Sequence, residues 1–333
     1  MNMAQRFFVF AVVSLGAAIV LPGSGWAQDK THPLVQFTSG SPTGGWFPVA
    51  SAMAEMTNQL YDGHPISVVT GAGGVGNPKR VVSGESDIGV SYGPFLKLAT
   101  QGNNELYKQP APQLRAIAGM TANKLHIVMD PTGDVANLGA IKAAKPEMRI
   151  GTGPVGSTEL FTLGEVFKEY GLSFEDFESW GGRVDRLNTS GRKDAWKNRQ
   201  ADLVNFFIND PAASVIELMS GRSGSKLLNI EERVRDSLVK NWGMIKFSIP
   251  ANSYPNQPED VETVGMPYVY FATTNLSDDL VYDLTKTIAE NQERLAATHS
   301  SFKTWKPENM PNGLGIELHD GAKRYYKERG WLK

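Results

Sequence analysis

Three times in this sequence an apolar, strand-like run ends in a glycine-rich loop that opens at once into an amphipathic helix. "LVQF" leads into "SGSPTGGWFPVASAM" (39–53), "ISVV" into "TGAGGVGNPKR" (70–80), and "MRI" into "GTGPVGSTEL" (151–160). Glycine allows positive φ and close approach of the backbone to another group. A helix start presents unpaired N–H groups and the positive end of the peptide dipole. One such junction is an ordinary tight turn, but three, each after a strand, describe a chain that aims bare amides at an anion. The alternation of strands and helices also sets the class, an α/β layered fold.

The two halves of the chain follow one plan. "FTSGSPTGGWF" closes a strand and starts a helix, and 48 residues after Ser39 comes Asp87 in "GESDIGVSY". "IGTGPVGSTEL" does the same, and 51 residues after Gly151 comes Asp202 in "NRQADLVNFF". The expectation is two lobes, each presenting a helix N-terminus to a shared cleft. Candidate strands are "LVQFTS", "ISVVT", "DIGVSY", "LRAIAGM", "LHIVM", "MRIGT" and "ADLVNFFIN". Phe47, Ala50, Met53, Met56 and Leu60 mark one face of a helix over 47–60. Asn77 is placed to cap the second helix with Pro78 at its first position. Ser157 or Thr158 caps the third, which carries Leu160, Leu163, Val166, Phe167 and Tyr170 and ends at Gly171. A later helix follows Ser277, with Asp278 and Asp279 in its first turn and Leu280, Leu284 and Ile288 on one face.

The first thirty residues read differently. Arg6 precedes an apolar run from Phe7 to Leu21, and "GWA" supplies a small-residue end at Ala27. This is the order of a secretory signal peptide cleaved after Ala27, since the run falls short of the roughly 20 residues needed to span a bilayer. Cleavage removes one positive charge, Arg6, from a formal net charge of −2. That balance gives no reason to expect nucleic acid or an anionic membrane surface as a partner. There is no cysteine, hence no disulfide, no thiol chemistry and no lipid attached at an N-terminal cysteine. An unanchored exported protein stays with its cell only inside an outer membrane, so the expected location is the periplasm of a Gram-negative cell.

Catalytic signatures are weak. A nucleotide P-loop needs a Gly-Lys-Ser/Thr end, and none of the three loops has one. Gly71, Gly73 and Gly76 imitate a dinucleotide fingerprint without the acidic residue that should close a following strand. No G-x-S-x-G elbow occurs. His32, His64, His126, His299 and His319 are scattered without metal-ligand spacing, and His126, inside "LHIVM", reads as a hydrogen-bonded strand residue. No cofactor and no metal are expected.

Other candidates stand beside the loops. Ser91 and Tyr92 end a strand where an open sheet places its crevice, and Tyr92 reads as a ligand wall. Asn205, Asn209 and Asp210 hold the matching places in the second half, and Trp46 is either a lid aromatic or the first packed residue of its helix. Arg80, Arg183, Arg186 and Arg192 lie near loops as candidate counter-charges, none of them distinguished from the rest. "SWGGRVDRLNTSGRKDAW" (179–196) has the composition of a mobile segment at a lobe rim.

Taken together, "GSPTGGWFPVASAMAE", "GAGGVGNPKRVVSGESDIGVSYG", "IGTGPVGSTELF", "YPNQPEDVETVGMP" with "DDLVYDLTKTIAEN", and "LHDGAKRYYKERG" resemble the TAXI family of solute-binding proteins, receptors of one branch of the TRAP transporters. The likeness runs through the whole chain after residue 27. It implies a two-lobed, type II-like periplasmic binding protein, with lobe 1 at 29–122 plus 265–333 and lobe 2 at 123–264. The crossings would lie near "TANKLHIVMD" and "EDVETVGMP". It implies a small organic anion, such as glutamate or another carboxylate, handed to a membrane permease. Carried over by position, ligand-lining residues fall at Ser41, Thr43, Gly44, Gly45, Gly73, Gly74, Tyr92, Gly156, Ser157 and Thr158. Trp46 and Asn209 join them from the reading of the residues. The sequence departs from the family pattern at Ser41-Pro42, Trp46-Phe47, Val75-Gly76-Asn77 and Asn209-Asp210-Pro211, where ligand identity should be decided. Rival readings are a receptor for an ABC importer or a sensor kinase, and a periplasmic enzyme acting on an anionic substrate.

Overall fold

Two strands longer than all others organise the molecule. The computed structural model describes residues 30–130 and 135–332; the expected signal peptide and its cleavage point lie outside them. In chain order, β1 (Val35–Thr38), α1 (Trp46–Asn58), β2 (Ile66–Val69), α2 (Gly73–Val82), β3 (Ile88–Tyr92) and α3 (Gly93–Gln101) lead to the long β4 (Leu114–Met129). Then come α4 (Ile141–Ala144), β5 (Arg149–Thr152), α5 (Thr158–Glu169), α6 (Phe174–Ser179), β6 (Arg183–Arg186), α7 (Thr189–Lys197) and β7 (Leu203–Ile208). The elements α8 (Ala213–Gly221), β8 (Lys226–Leu227), α9 (Glu232–Trp242) and β9 (Ile245–Ile249) precede the second long strand, β10 (Val261–Thr273). The chain closes with α10 (Asp278–Glu290), α11 (Gln292–Thr298) and α12 (Asp320–Glu328).

The strands pair in the order β2-β1-β3-β10-β4-β7-β5-β6, with β8 on β4 and β9 on β10. Parallel β1–β3 form the sheet of one lobe, and parallel β5–β7 that of the other. Between them β4 and β10 run antiparallel and exchange partners as they cross. Lys124 is in register with both Gly265 and Ile208, and Gly265 with both Lys124 and Ile245. Pro267 has no N–H to give the ladder, and the β10–β4 register shifts just beyond it. The sequence suggests two strands, "LRAIAGM" and "LHIVM", because the polar "TANK" between them looks like a break. They are one sixteen-residue strand, whose polar stretch marks the passage from lobe to lobe.

The halves repeat as their sequence implies. Asp87 accepts from the Gln36 amide at 2.7 Å and Asp202 from the Arg149 amide at 2.8 Å, each tying the start of the inner strand to the central one. Within the lobes some local expectations shift. Ala50, Met53 and Met56 of the expected stripe are buried in α1, joined by Trp46 and Val49, whereas Phe47 is only half-buried and Leu60, past the helix end, is 47% exposed. Ser157 caps α5 by accepting from the Leu160 amide at 3.1 Å, and Gly171 closes it at φ +66°. Ser277 caps α10, and Leu280, Leu284 and Ile288 are fully buried. The segment 179–196, expected as a mobile rim, instead builds β6 and most of α7. Its polarity is that of an edge strand, in which only Val184 is buried.

Asn77 does not cap a helix. α2 begins four residues earlier, at Gly73, and Asn77 is a buried hub. Its Nδ2 donates to the Ser39 and Val90 carbonyls, both at 2.8 Å, and its Oδ1 accepts from the Ala72 amide at 2.8 Å. Pro78 therefore lies inside the helix and cannot donate to the Gly74 carbonyl; the Ser91 hydroxyl does so instead, at 2.5 Å.

Candidate functional site between the lobes

Four helices of nine or more residues start at one hollow: α1 and α2 from the first lobe, α5 and α7 from the second. The sequence anticipates one N-terminus per lobe; the fold supplies two. Each brings unpaired amides and a partial positive charge of roughly half a unit, so the space between them favours an anion. They surround a cavity of about 200 Å³, below the roughly 300–1,000 Å³ typical for drug-sized ligands and suited to a metabolite.

Its wall contains Ser41, Gly44, Gly45, Trp46, Gly73, Tyr92, Ser157 and Thr158 from the sequence candidates. Four of the expected ligand contacts are outside it, as are Ser91, Asn205 and Asp210. Thr43 sits at the exposed rim, its hydroxyl 3.0 Å from that of Ser190 across the cleft. Gly156 spends its carbonyl on the Gly76 amide of the opposite lobe, at 3.0 Å. Gly74 is packed under Tyr92 and Thr158: a Cβ there would lie 2.5 Å from Thr158 Oγ1 and 2.8 Å from the Tyr92 ring. Asn209 donates to Thr121 Oγ1 at 2.8 Å and to the Ala122 carbonyl at 2.9 Å, so it grips the crossing strand. Even Gly73, which does line the cavity, is glycine for a contact between lobes. It has φ +85°, and a Cβ would stand 2.8 Å from Ser157 Cα.

The remaining wall is aromatic. Trp46 and Phe207 flank Tyr92 at ring distances of 5.3 and 5.2 Å. Burial, then the charge of Glu159, holds the Tyr92 phenol well above its ordinary range. It is a neutral hydroxyl that accepts from Asn123 Nδ2 at 2.9 Å, leaving its own proton to donate. Trp46 Nε1 and Asn123 Oδ1 are buried with no hydrogen-bond partner.

Arg192 is the decisive side chain. It is 1% exposed, rises from the first turn of α7 and lies over the Phe206 ring at 4.6 Å. Its Nη2 donates to Glu159 Oε1 at 3.0 Å, while Nε and Nη1 have no partner. A buried guanidinium left half unsatisfied is costly, and a carboxylate against it would supply the missing acceptors. Arg80, by contrast, caps its own neighbourhood through the Thr70 carbonyl, and Arg183 pairs with Asp185 at the surface.

Sequence reasoning did not single out Arg192 among four arginines, and it missed Glu159, Asn123 and Phe206–Phe207. One signal was present: Arg192 precedes Asp202 by ten residues, as the buried Asn77 precedes Asp87. Glu159 has the look of a dipole-complementing residue in a first helical turn, and nothing in the local sequence of Asn123 marks it. His126 is a structural residue, as expected. Its Nδ1 donates to the Lys124 carbonyl at 2.9 Å and its Nε2 accepts from Tyr254 at 2.8 Å, with burial lowering its pKa to about 4.

Two lobes joined by crossing strands with a cavity between them make this the fold of the periplasmic binding proteins. The structure of the periplasmic binding protein BugD is similar over 90% of this chain and 98% of that one, with a TM-score of 0.54 and 14% identity. MatC from Rhodopseudomonas palustris with bound malate gives the same TM-score and identity over 90% and 97%. A binding protein of an ABC phosphonate transporter from Pseudomonas aeruginosa matches at 0.53 and 13% over 81% and 78%. Residues 37–330 match the NMT1-like family, and the chain belongs to it.

Proposed function

We propose that the protein is a periplasmic solute-binding receptor of the TAXI branch of TRAP transporters. It captures a small carboxylate-bearing solute between its lobes and presents it to the membrane permease. One observation carries this reading: the buried, half-satisfied Arg192 faces a cavity on which four helix N-termini converge. The glycine loops in TAXI order support the subfamily, and MatC, a structure of similar fold, carries bound malate, a carboxylate. We assign lobe 1 to 29–122 with 265–333 and lobe 2 to 123–264, close to where β4 and β10 change partners. The lining residues Ser41, Gly44, Gly45, Trp46, Gly73, Tyr92, Ser157 and Thr158 are the ligand contacts, with Arg192 as the anchor.

We read the solute as held, not converted: the one carboxylate among the described lining residues, Glu159, is engaged by Arg192 at 3.0 Å, and the Ser157 hydroxyl accepts the Leu160 amide as a helix cap. Closure follows from hinge bending at the crossing strands, the ligand favouring the closed form. No helix of the described residues is long and apolar enough to cross a membrane, which suits a receptor that meets its permease from outside.

A thermal-shift panel of organic and amino acids tests this. A true ligand at 100 times its Kd adds about 2.7 kcal/mol to stability, and it should be recovered unchanged after incubation. Turnover, or no response to any carboxylate, refutes the receptor. N-terminal sequencing of the exported form should begin at Gln28.

A further inference from the structure

The charges in the cavity wall narrow the solute further. Arg192 and Glu159 are the only charged side chains among the described residues lining it. One carboxylate answers Arg192 and the helix N-termini. A second would share a hollow of about 200 Å³ with the Glu159 carboxylate, where like charges at such range repel strongly. Beside the donors at Trp46 Nε1 and Tyr92, the wall holds acceptors that want donors. Asn123 Oδ1 is buried and unpartnered, and Glu159 engages Arg192 through Oε1 alone among the described residues. Everything else large in the wall is apolar or aromatic: Trp46, Tyr92, Phe206, Phe207 and Ile208.

Resting on the receptor reading above, we infer that the solute is a neutral amino acid. Its carboxylate lies on Arg192, its ammonium between Glu159 and Asn123, and its uncharged, mainly apolar side chain against the aromatic wall. A dicarboxylate such as malate or glutamate is the solute this wall rejects.

Isothermal titration of the full mature protein decides it. The probes are alanine, valine, leucine, methionine and phenylalanine, each beside its deaminated acid of the same skeleton, together with L-glutamate and malate. At least one neutral amino acid should bind tenfold or more tighter than its deaminated acid and than either dicarboxylate. Glu159→Gln should erase that preference, bringing the amino acid and its deaminated acid to within threefold of each other. Should that variant fold poorly, the wild-type panel decides alone. A dicarboxylate or a deaminated acid binding as well as the best amino acid overturns the inference and leaves the carboxylate receptor standing. Silence across the whole panel overturns both.

Discussion

The two lobes are built to one plan and use it for different ends. In each, a central strand is flanked by an edge strand and an inner strand, and an aspartate ties the inner strand to the central one: Asp87 in the first, Asp202 in the second. Ten residues before each aspartate a polar side chain lies buried in the helix that leads into the inner strand, α2 in the first lobe and α7 in the second. In the first lobe it is Asn77, neutral and bonded at both ends to three backbone groups. In the second it is Arg192, charged and bonded at one nitrogen to a carboxylate. Five residues after each aspartate come Tyr92 and Phe207, whose rings meet edge to face across the cleft. Equivalent positions thus carry a brace in one lobe and a ligand anchor in the other. A repeated frame can keep its geometry while one copy is released for recognition.

This contrast breaks first at Asn77. Asn77→Ala leaves two buried carbonyls and one amide without their partner, and should cost about 4 kcal/mol of stability in urea unfolding. The surviving folded protein should bind nearly as before. Arg192→Met should do the opposite, weakening the binding of the solute at least a hundredfold by calorimetry, about 3 kcal/mol. Its stability should fall by about 2 kcal/mol, less than in Asn77→Ala, because Glu159 loses its partner but keeps 20% of its side chain in water. Equal losses of stability in the two variants would end the distinction between brace and anchor.

Acid sharpens the comparison differently. His126 is held at a pKa of about 4 by burial, below the 6.5 of an unfolded histidine, so the unfolded chain binds the extra proton between those values. Stability from this group is complete above about pH 6.5 and declines by about 3 kcal/mol as the pH falls to 4. His126→Gln should flatten most of that slope; the remainder belongs to His299 and His319, which burial also lowers. The smallest effect is expected at the rim. Thr43→Val removes one exposed contact to Ser190 and should weaken binding only about twofold, about 0.5 kcal/mol.

Much of the architecture was legible because it is written in spacing. The strand-loop-helix junctions, the two aspartates and the caps at Ser157 and Ser277 are local signals, and local chemistry enforces them. What the sequence concealed depends on distance. Continuous β4 looks like two strands because its middle, Thr121–Lys124, is polar for reasons that lie in the crossing. Asn77 and Pro78 resemble a helix start, yet α2 begins earlier because Gly73 and Gly74 can pass under Ser157 and Tyr92. The cavity followed the same rule. Loop residues near it could be named from their glycines, whereas Arg192, Glu159 and Asn123 acquire meaning only when α5, α7 and β4 meet.

The lobes touch backbone to backbone where Gly73 passes Ser157 and Gly76 donates to the Gly156 carbonyl. A clasp made of main chain is indifferent to which side chains stand around it. Descendants of this protein can therefore exchange Arg192, Glu159 or the aromatic panel to suit a new nutrient while shutting by the same movement, provided those glycines remain.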